Sequence, residues 1–159
     1  VREYVPAGEQ RIRRGEGVLS VLGVGSCVVV LLYDETSRIG GLAHVLLPDP
    51  NDLLGPDRRG RYATTAIPDL LDELQSAGAP RGRIVARLVG GACMFQELIP
   101  ATERNIGERN VSAARATLAR HGVPIVGEAV GGRLSRSIEF DLSDGRVRVS
   151  SQGVNDVEI

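Results

Sequence analysis

Three consecutive stretches decide the fold: the run Cys27-Val28-Val29-Val30-Leu31-Leu32-Tyr33, the polar Asp34-Glu35-Thr36-Ser37, and then Ile39-Gly40-Gly41-Leu42-Ala43-His44-Val45-Leu46-Leu47-Pro48. The first run is apolar, rich in β-branched residues and too short for an ordinary helix, which spells a buried strand. Asp34 to Ser37 supply turn chemistry. The second apolar run stops at a proline, so the two runs form a β-hairpin. Symmetry about the Glu35–Thr36 bond places Cys27 opposite His44, and directly opposed Cβ atoms lie about 5 Å apart, within reach of a thiol–imidazole hydrogen bond. A β-bulge at Gly40-Gly41 would shift that register.

A thiol is a weak nucleophile until it loses its proton, and a neighbouring imidazole can take it. The approach to the cysteine, Gly23-Val24-Gly25-Ser26-Cys27, is suited to a tight turn whose backbone N–H groups, around Gly25 and Ser26, point at a developing oxyanion. The plainer reading is that Cys27 is a small buried hydrophobe and His44 a core histidine.

Leu22-Gly-Val-Gly-Ser-Cys27 followed by Ile39-Gly-Gly-Leu-Ala-His44-Val-Leu-Leu-Pro48 resembles the CheD family, the chemoreceptor glutamine deamidases. The resemblance continues in order through Gly60-Arg-Tyr62-Ala-Thr-Thr-Ala66, Gly90-Gly-Ala-Cys-Met-Phe95, Asn105-Ile-Gly-Glu-Arg-Asn110 and Gly131-Gly-Arg-Leu-Ser-Arg136-Ser. It implies that Cys27 is the nucleophile and His44 its base, and that together they convert receptor glutamines to glutamates with release of ammonia. It further implies an open cleft for a helical receptor coiled coil, site-lining roles for Tyr62, Gly90 and Gly91, and binding to a CheC-type phosphatase. No metal or cofactor is implied. One position departs: the family's threonine six residues before the cysteine is Val21 here. Valine keeps the shape and loses the hydroxyl. Ser20 points to the opposite face of its strand, so the Val21 carbonyl is the group left to orient the imidazole. Two other readings follow: an adaptor that docks on receptors or on the phosphatase with chemistry weakened or lost, and a cysteine hydrolase acting on receptor methyl esters. An activated thiol would alkylate below pH 8, whereas an ordinary one has a pKa of about 8.5.

The composition narrows the alternatives. The 159 residues suggest one domain, and 42% apolar residues are ordinary for a globular protein. No apolar run approaches a membrane span and the first residues lack a signal-peptide pattern, so the expected location is the cytoplasm. A net charge of −1 with five aromatics and no Trp gives nucleic acid neither a field nor a stacking platform. Lysine is absent, which removes Schiff-base chemistry. Two cysteines and two histidines are too few and too scattered for a zinc centre.

In chain order, Arg2 to Pro6 reads as a short edge strand. Ala7 to Gly17 reads as a charged loop with Arg11, Arg13 and Arg14 in solvent, and Val18 to Leu22 as a strand. Asp49 to Gly60 is a polar loop expected to wall the cleft. Ile67, Leu70, Leu71 and Leu74 set one stripe of a helix over Tyr62 to Ala77, kinked or started late by Pro68 and ended by Gly78. Ile84 to Val89 is a buried strand ending at Gly90-Gly91, with Cys93 and Met94 as core filling. Val111, Ala114 and Leu118 line a helix from Glu108 to His121, which Asn105, Arg109 and Asn110 tie to the site loops. Its terminal His121 suits the helix dipole. Pro124 to Val130 is a strand, Ile138 to Leu142 and Arg146 to Val149 form a hairpin about Asp144-Gly145, and Gly153 to Ile159 is a loose or edge-strand tail. The expected class is α+β, a mixed and mostly antiparallel sheet system covered by two main helices in one domain.

Overall fold

A hairpin that is apolar on both faces needs a layer on each side, and the rest of the chain supplies them. The structure, a computed structural model, describes residues 1–50, 58–95, 98 and 106–159. In chain order these form β1 (Arg2–Tyr4), β2 (Gln10–Arg14), β3 (Val18–Val24), β4 (Val28–Asp34), β5 (Ile39–Val45), α1 (Ala63–Ala77), β6 (Val85–Gly90), α2 (Ile106–Arg120), β7 (Ile125–Val130), β8 (Arg136–Asp141), β9 (Val147–Ser151) and β10 (Val154–Glu158). The central sheet has the order β2-β5-β4-β6-β7 and the outer sheet β1-β3-β8-β9-β10. Among the described strands β1–β3 and β6–β7 pair in parallel, and the other ladders are antiparallel. The class is α+β, as expected.

Every residue of β4 and β5 is buried. Alternation along each strand divides them. Val28, Val30, Leu32, Ala43 and Val45 pack under the stripes of α1 and α2, including Ile67, Leu70, Leu74, Ala114 and Leu118. Val29, Leu31, Tyr33 and Leu42 face the outer sheet and meet Leu19, Val21, Ile138, Phe140 and Val149. The layers are therefore helices, central sheet, outer sheet. Among the described residues no helix is long and apolar enough to cross a membrane.

The hairpin register corrects the sequence reading. Val29, not Cys27, lies opposite His44, and the ladder runs from Asp34↔Ile39 to Val28↔Val45 without a bulge. The Asp34 carboxylate is the cause. It accepts hydrogen bonds from Thr36 N at 3.2 Å and Ser37 Oγ at 2.6 Å, and Arg38 closes the turn with φ of 56°. The loop is thus Glu35 to Arg38, and the register slides by two places. Because side chains alternate with a period of two, a two-place slide keeps every residue on its face. The glycines that could have formed a bulge instead admit both layers: a Cβ at Gly40 would lie 2.7 Å from Leu142 Cδ1, and one at Gly41 would lie 2.9 Å from Leu70 Cδ1.

A second correction concerns residues 7–17, expected to be a loop. Gln10–Arg14 is a strand, β2, with Ile12 opposite Gly41. Its arginines hid it. Ile12 alone turns inward against the core, while Arg11 pairs with Glu3 and Glu9, a charged dressing typical of an edge strand. Helix α1 runs through Pro68 without a late start and ends at Gly78, whose φ of 116° suits only glycine.

Candidate functional site

The loop Gly25-Ser26-Cys27 is where the chain leaves the outer sheet at the end of β3 and enters the central sheet at β4. Cys27 is half-buried and packs against the core between the two sheets. Val29 shares its side of β4, and Val29 is the partner of His44. The thiol and the imidazole therefore belong to one face of the hairpin, a diagonal step apart, at its open end. Diagonal neighbours lie about 7–8 Å apart, their Cβ atoms somewhat closer. Among the described residues no hydrogen bond joins the thiol to the ring; a proton could pass between them only after a side-chain rotation or through a bridging group.

His44 is 9% exposed, and its Nδ1 lies 3.1 Å from the Val5 carbonyl oxygen. A carbonyl only accepts, so Nδ1 carries the proton and Nε2 keeps the lone pair a base requires. The N-terminal segment builds this support. Val5 N donates to Ser20 O at 2.9 Å, Gly8 N donates to His44 O at 2.8 Å, and His44 N donates to Glu9 O at 3.0 Å. The orienting carbonyl is thus Val5's, not Val21's as the sequence suggested. Val21 faces the inter-sheet core at 3% exposure, while Ser20 Oγ accepts from Arg2 Nη1 on the other side of β3. Nothing in the sequence marks a loop carbonyl as the partner of a histidine 39 residues later.

Burial sets the protonation states. It pushes the Cys27 thiol above its ordinary value, an effect only partly offset by the residue's own N–H. It lowers His44 below 6.5 despite the Val5 carbonyl. Both shifts favour the neutral form, so the resting site holds a thiol and a neutral imidazole rather than an ion pair. A nucleophilic attack starting from these forms would move the thiol proton during attack and not before it.

The glycine turn after β6 backs the cysteine loop. Gly91 N donates to Cys27 O at 2.8 Å and Ala92 N to Gly25 O at 2.9 Å. Gly90 has φ of 119°, and a Cβ there would fall 2.2 Å from the Cys27 carbonyl oxygen, so no other residue fits. The N–H groups of Gly25 and Ser26 donate to no backbone carbonyl of the described residues, the kind of donor an oxyanion hole uses. Asn110, fully buried on α2, donates from Nδ2 to Ser26 O at 2.8 Å and to Leu46 O at 2.9 Å, the tie between helix and site loops that its motif suggested.

Other residues singled out in the sequence fall elsewhere. Tyr62 is fully buried at the head of α1, bridged to Leu47, with no exposed surface for a substrate. Met94 is 41% exposed rather than core filling; its Sδ lies 2.9 Å from where a Gly25 Cβ would be. Arg109 is exposed. Asn105 and residues 51–57 of the expected cleft wall lie outside the described residues.

The model of the family described as CheD chemotactic sensory transduction matches residues 46–151. That span begins just after His44, and the relatives match a larger share of the chain, 91–96% of it. A probable chemoreceptor glutamine deamidase CheD of Caldanaerobacter subterraneus is 38% identical over 94% of this chain and 92% of its own. One from Pyrococcus abyssi is 42% identical over 91% and 88%. The chemoreceptor glutamine deamidase CheD of Thermotoga maritima is 36% identical over 96% and 94%. With a family match over more than half its length and relatives of this similarity nearly end to end, the chain belongs to the CheD family.

Proposed function

We propose that this protein is a protein-glutamine deamidase of chemotaxis receptors, working in the cytoplasm with Cys27 as nucleophile and His44 as general base and acid. The observation that carries the reading is the shared face: Cys27 and His44 sit at the open end of one hairpin, and the ring's free nitrogen is fixed as Nε2 by the Val5 carbonyl. The relatives' names supply the substrate class.

His44 Nε2 takes the thiol proton as Sγ attacks the carboxamide carbon of a receptor glutamine. The oxyanion is held by the N–H groups of the Gly25–Cys27 loop, each such donor being worth about 3 kcal/mol of barrier. Imidazolium protonates the departing nitrogen, ammonia leaves, and a thioester remains on Cys27. His44 then deprotonates water, which cleaves the thioester to glutamate and returns the proton to sulfur. Exposed Leu22, Met94 and Phe95 on the segments flanking the loop offer an apolar seat for a receptor helix. A CheC-type phosphatase is a further proposed partner.

Val21 favours a second reading. With no hydroxyl facing the inter-sheet layer and a thiol raised by burial, the protein could serve chiefly as an adaptor on receptors or the phosphatase. Incubation with a receptor cytoplasmic fragment separates the two: ammonia release with a mass gain at a glutamine, lost in Cys27→Ala, supports the deamidase. Tight binding with no ammonia supports the adaptor.

A further inference from the structure

Ordinary pairing of β4 with β5 stops at Val28↔Val45. The next rung would join Cys27 to Leu46, so the nucleophile stands one place beyond the last ladder contact with the strand of its base. What crosses the gap is a side chain. Asn110 Nδ2 spends one proton on the Ser26 carbonyl, just before Cys27, and the other on the Leu46 carbonyl, two residues after His44.

The choice of an amide here is costly. Asn110 is fully buried, and its Oδ1 has no hydrogen-bond partner among the described residues. A buried acceptor left unsatisfied destabilises a fold more than an apolar side chain of similar size would. The amide's two donors are what such an apolar residue could not provide. Its position is also rigidly set. The first turn of α2 is seated on the glycine turn behind Cys27, where a Cβ at Gly107 would lie 2.5 Å from the Gly91 carbonyl oxygen and one at Gly91 would lie 2.3 Å from Val111 Cγ2.

We infer that Asn110 is a positioning residue for the reaction, a side-chain rung that holds the cysteine loop and the histidine strand in the register from which a short side-chain movement brings thiol and imidazole together. The inference rests on the reading of Cys27 and His44 as a working pair, and it touches neither substrate nor reacting atoms.

The test follows alkylation of Cys27 by iodoacetamide at pH 7.5 (about neutral, where an ordinary thiol is mostly protonated), with Cys27 distinguished from Cys93 by peptide mapping. Parent, His44→Ala, Asn110→Leu and the double variant are compared below their melting temperatures. His44→Ala is expected to slow labelling about tenfold or more. Asn110→Leu should lose most of the same factor, and the double variant should be no slower than His44→Ala alone, because one alignment underlies both losses. A purely structural Asn110 would lower the melting temperature yet leave His44→Ala its full effect in the Asn110→Leu background; that additive result overturns the inference. If His44→Ala by itself leaves the rate unchanged, the pair is refuted and this inference falls with it. Should Asn110→Leu not fold, Asn110→Ser, smaller and still polar, enters the same cycle.

Discussion

The two ends of the β4–β5 hairpin are built alike and behave oppositely. At the turn, a nearly inaccessible carboxylate, Asp34, is met by Thr36 N, Ser37 Oγ and Arg83 Nη2, the last at 2.9 Å. The Arg83 guanidinium leads in holding its pKa below the usual 3.8. At the open end a half-buried thiol and a buried imidazole have few partners, and desolvation outweighs those partners and drives both toward the neutral form. A group shifted toward charge by its partners stabilises the native state. Groups shifted toward neutrality by burial do not, and such perturbed groups are the ones the proposed mechanism uses.

The sharpest break between the ends comes from deletion at the open one. Cys27→Ala should abolish deamidation of a receptor fragment, a loss of about ten-thousand-fold or more, with little change in melting temperature. His44→Ala should cost about a hundred- to ten-thousand-fold in kcat, read from ammonia release at saturating substrate. Deletion at the turn should do the reverse. Asp34→Ala strands the Ser37 hydroxyl, the Thr36 N–H and Arg83, and should cost about 2 kcal/mol in urea unfolding, while kcat for the folded protein stays at the parental value.

Smaller effects sharpen the contrast. Val21→Thr places a hydroxyl in the layer that contains the imidazole. One added hydrogen bond of about 1 kcal/mol in the transition state raises kcat about fivefold, at a stability cost of about 1 kcal/mol for a buried hydroxyl. An unchanged kcat would show that the Val5 carbonyl already does all the orienting. Stability against pH should trace both ends. His44 titrates lower in the folded than in the unfolded chain, so below the ordinary 6.5 the unfolded chain takes up the proton first and stability falls as pH drops. Cys27 titrates higher when folded, so above 9.0 the unfolded chain loses its proton first and stability falls as pH rises. Asp34, lowered when folded, adds a further loss below 3.8. A plateau between 6.5 and 9.0 is expected in chemical denaturation, and His44→Ala should remove its acid shoulder at the upper end of that fall.

Most of this fold was legible because its central strands are apolar without interruption and its helices carry clean stripes, such as Ile67, Leu70, Leu71 and Leu74. What escaped depended on single polar contacts. One carboxylate, Asp34, moved the hairpin register by two places; the period of a strand preserved the face, so the pair survived the slip with a diagonal rather than direct relation. Strand β2 was hidden because an edge strand needs only one inward residue, Ile12, and its arginines read as loop. The support of His44 was invisible because a backbone carbonyl has no letter in a sequence: Val5 looks like any valine. Asn110 was legible through its motif, but not the pair of carbonyls it spans, since those depend on how far the strand ends diverge.

Whether Cys27 is the nucleophile can be read from the mass of the Cys27 peptide after acid quench of a reaction with a receptor fragment in the first turnover. A transient acyl adduct on the Cys27 sulfur is expected, formed as ammonia appears and lost as glutamate accumulates. Glutamate formed at the parental rate in Cys27→Ala, with no adduct on that sulfur in the parent, would contradict that role.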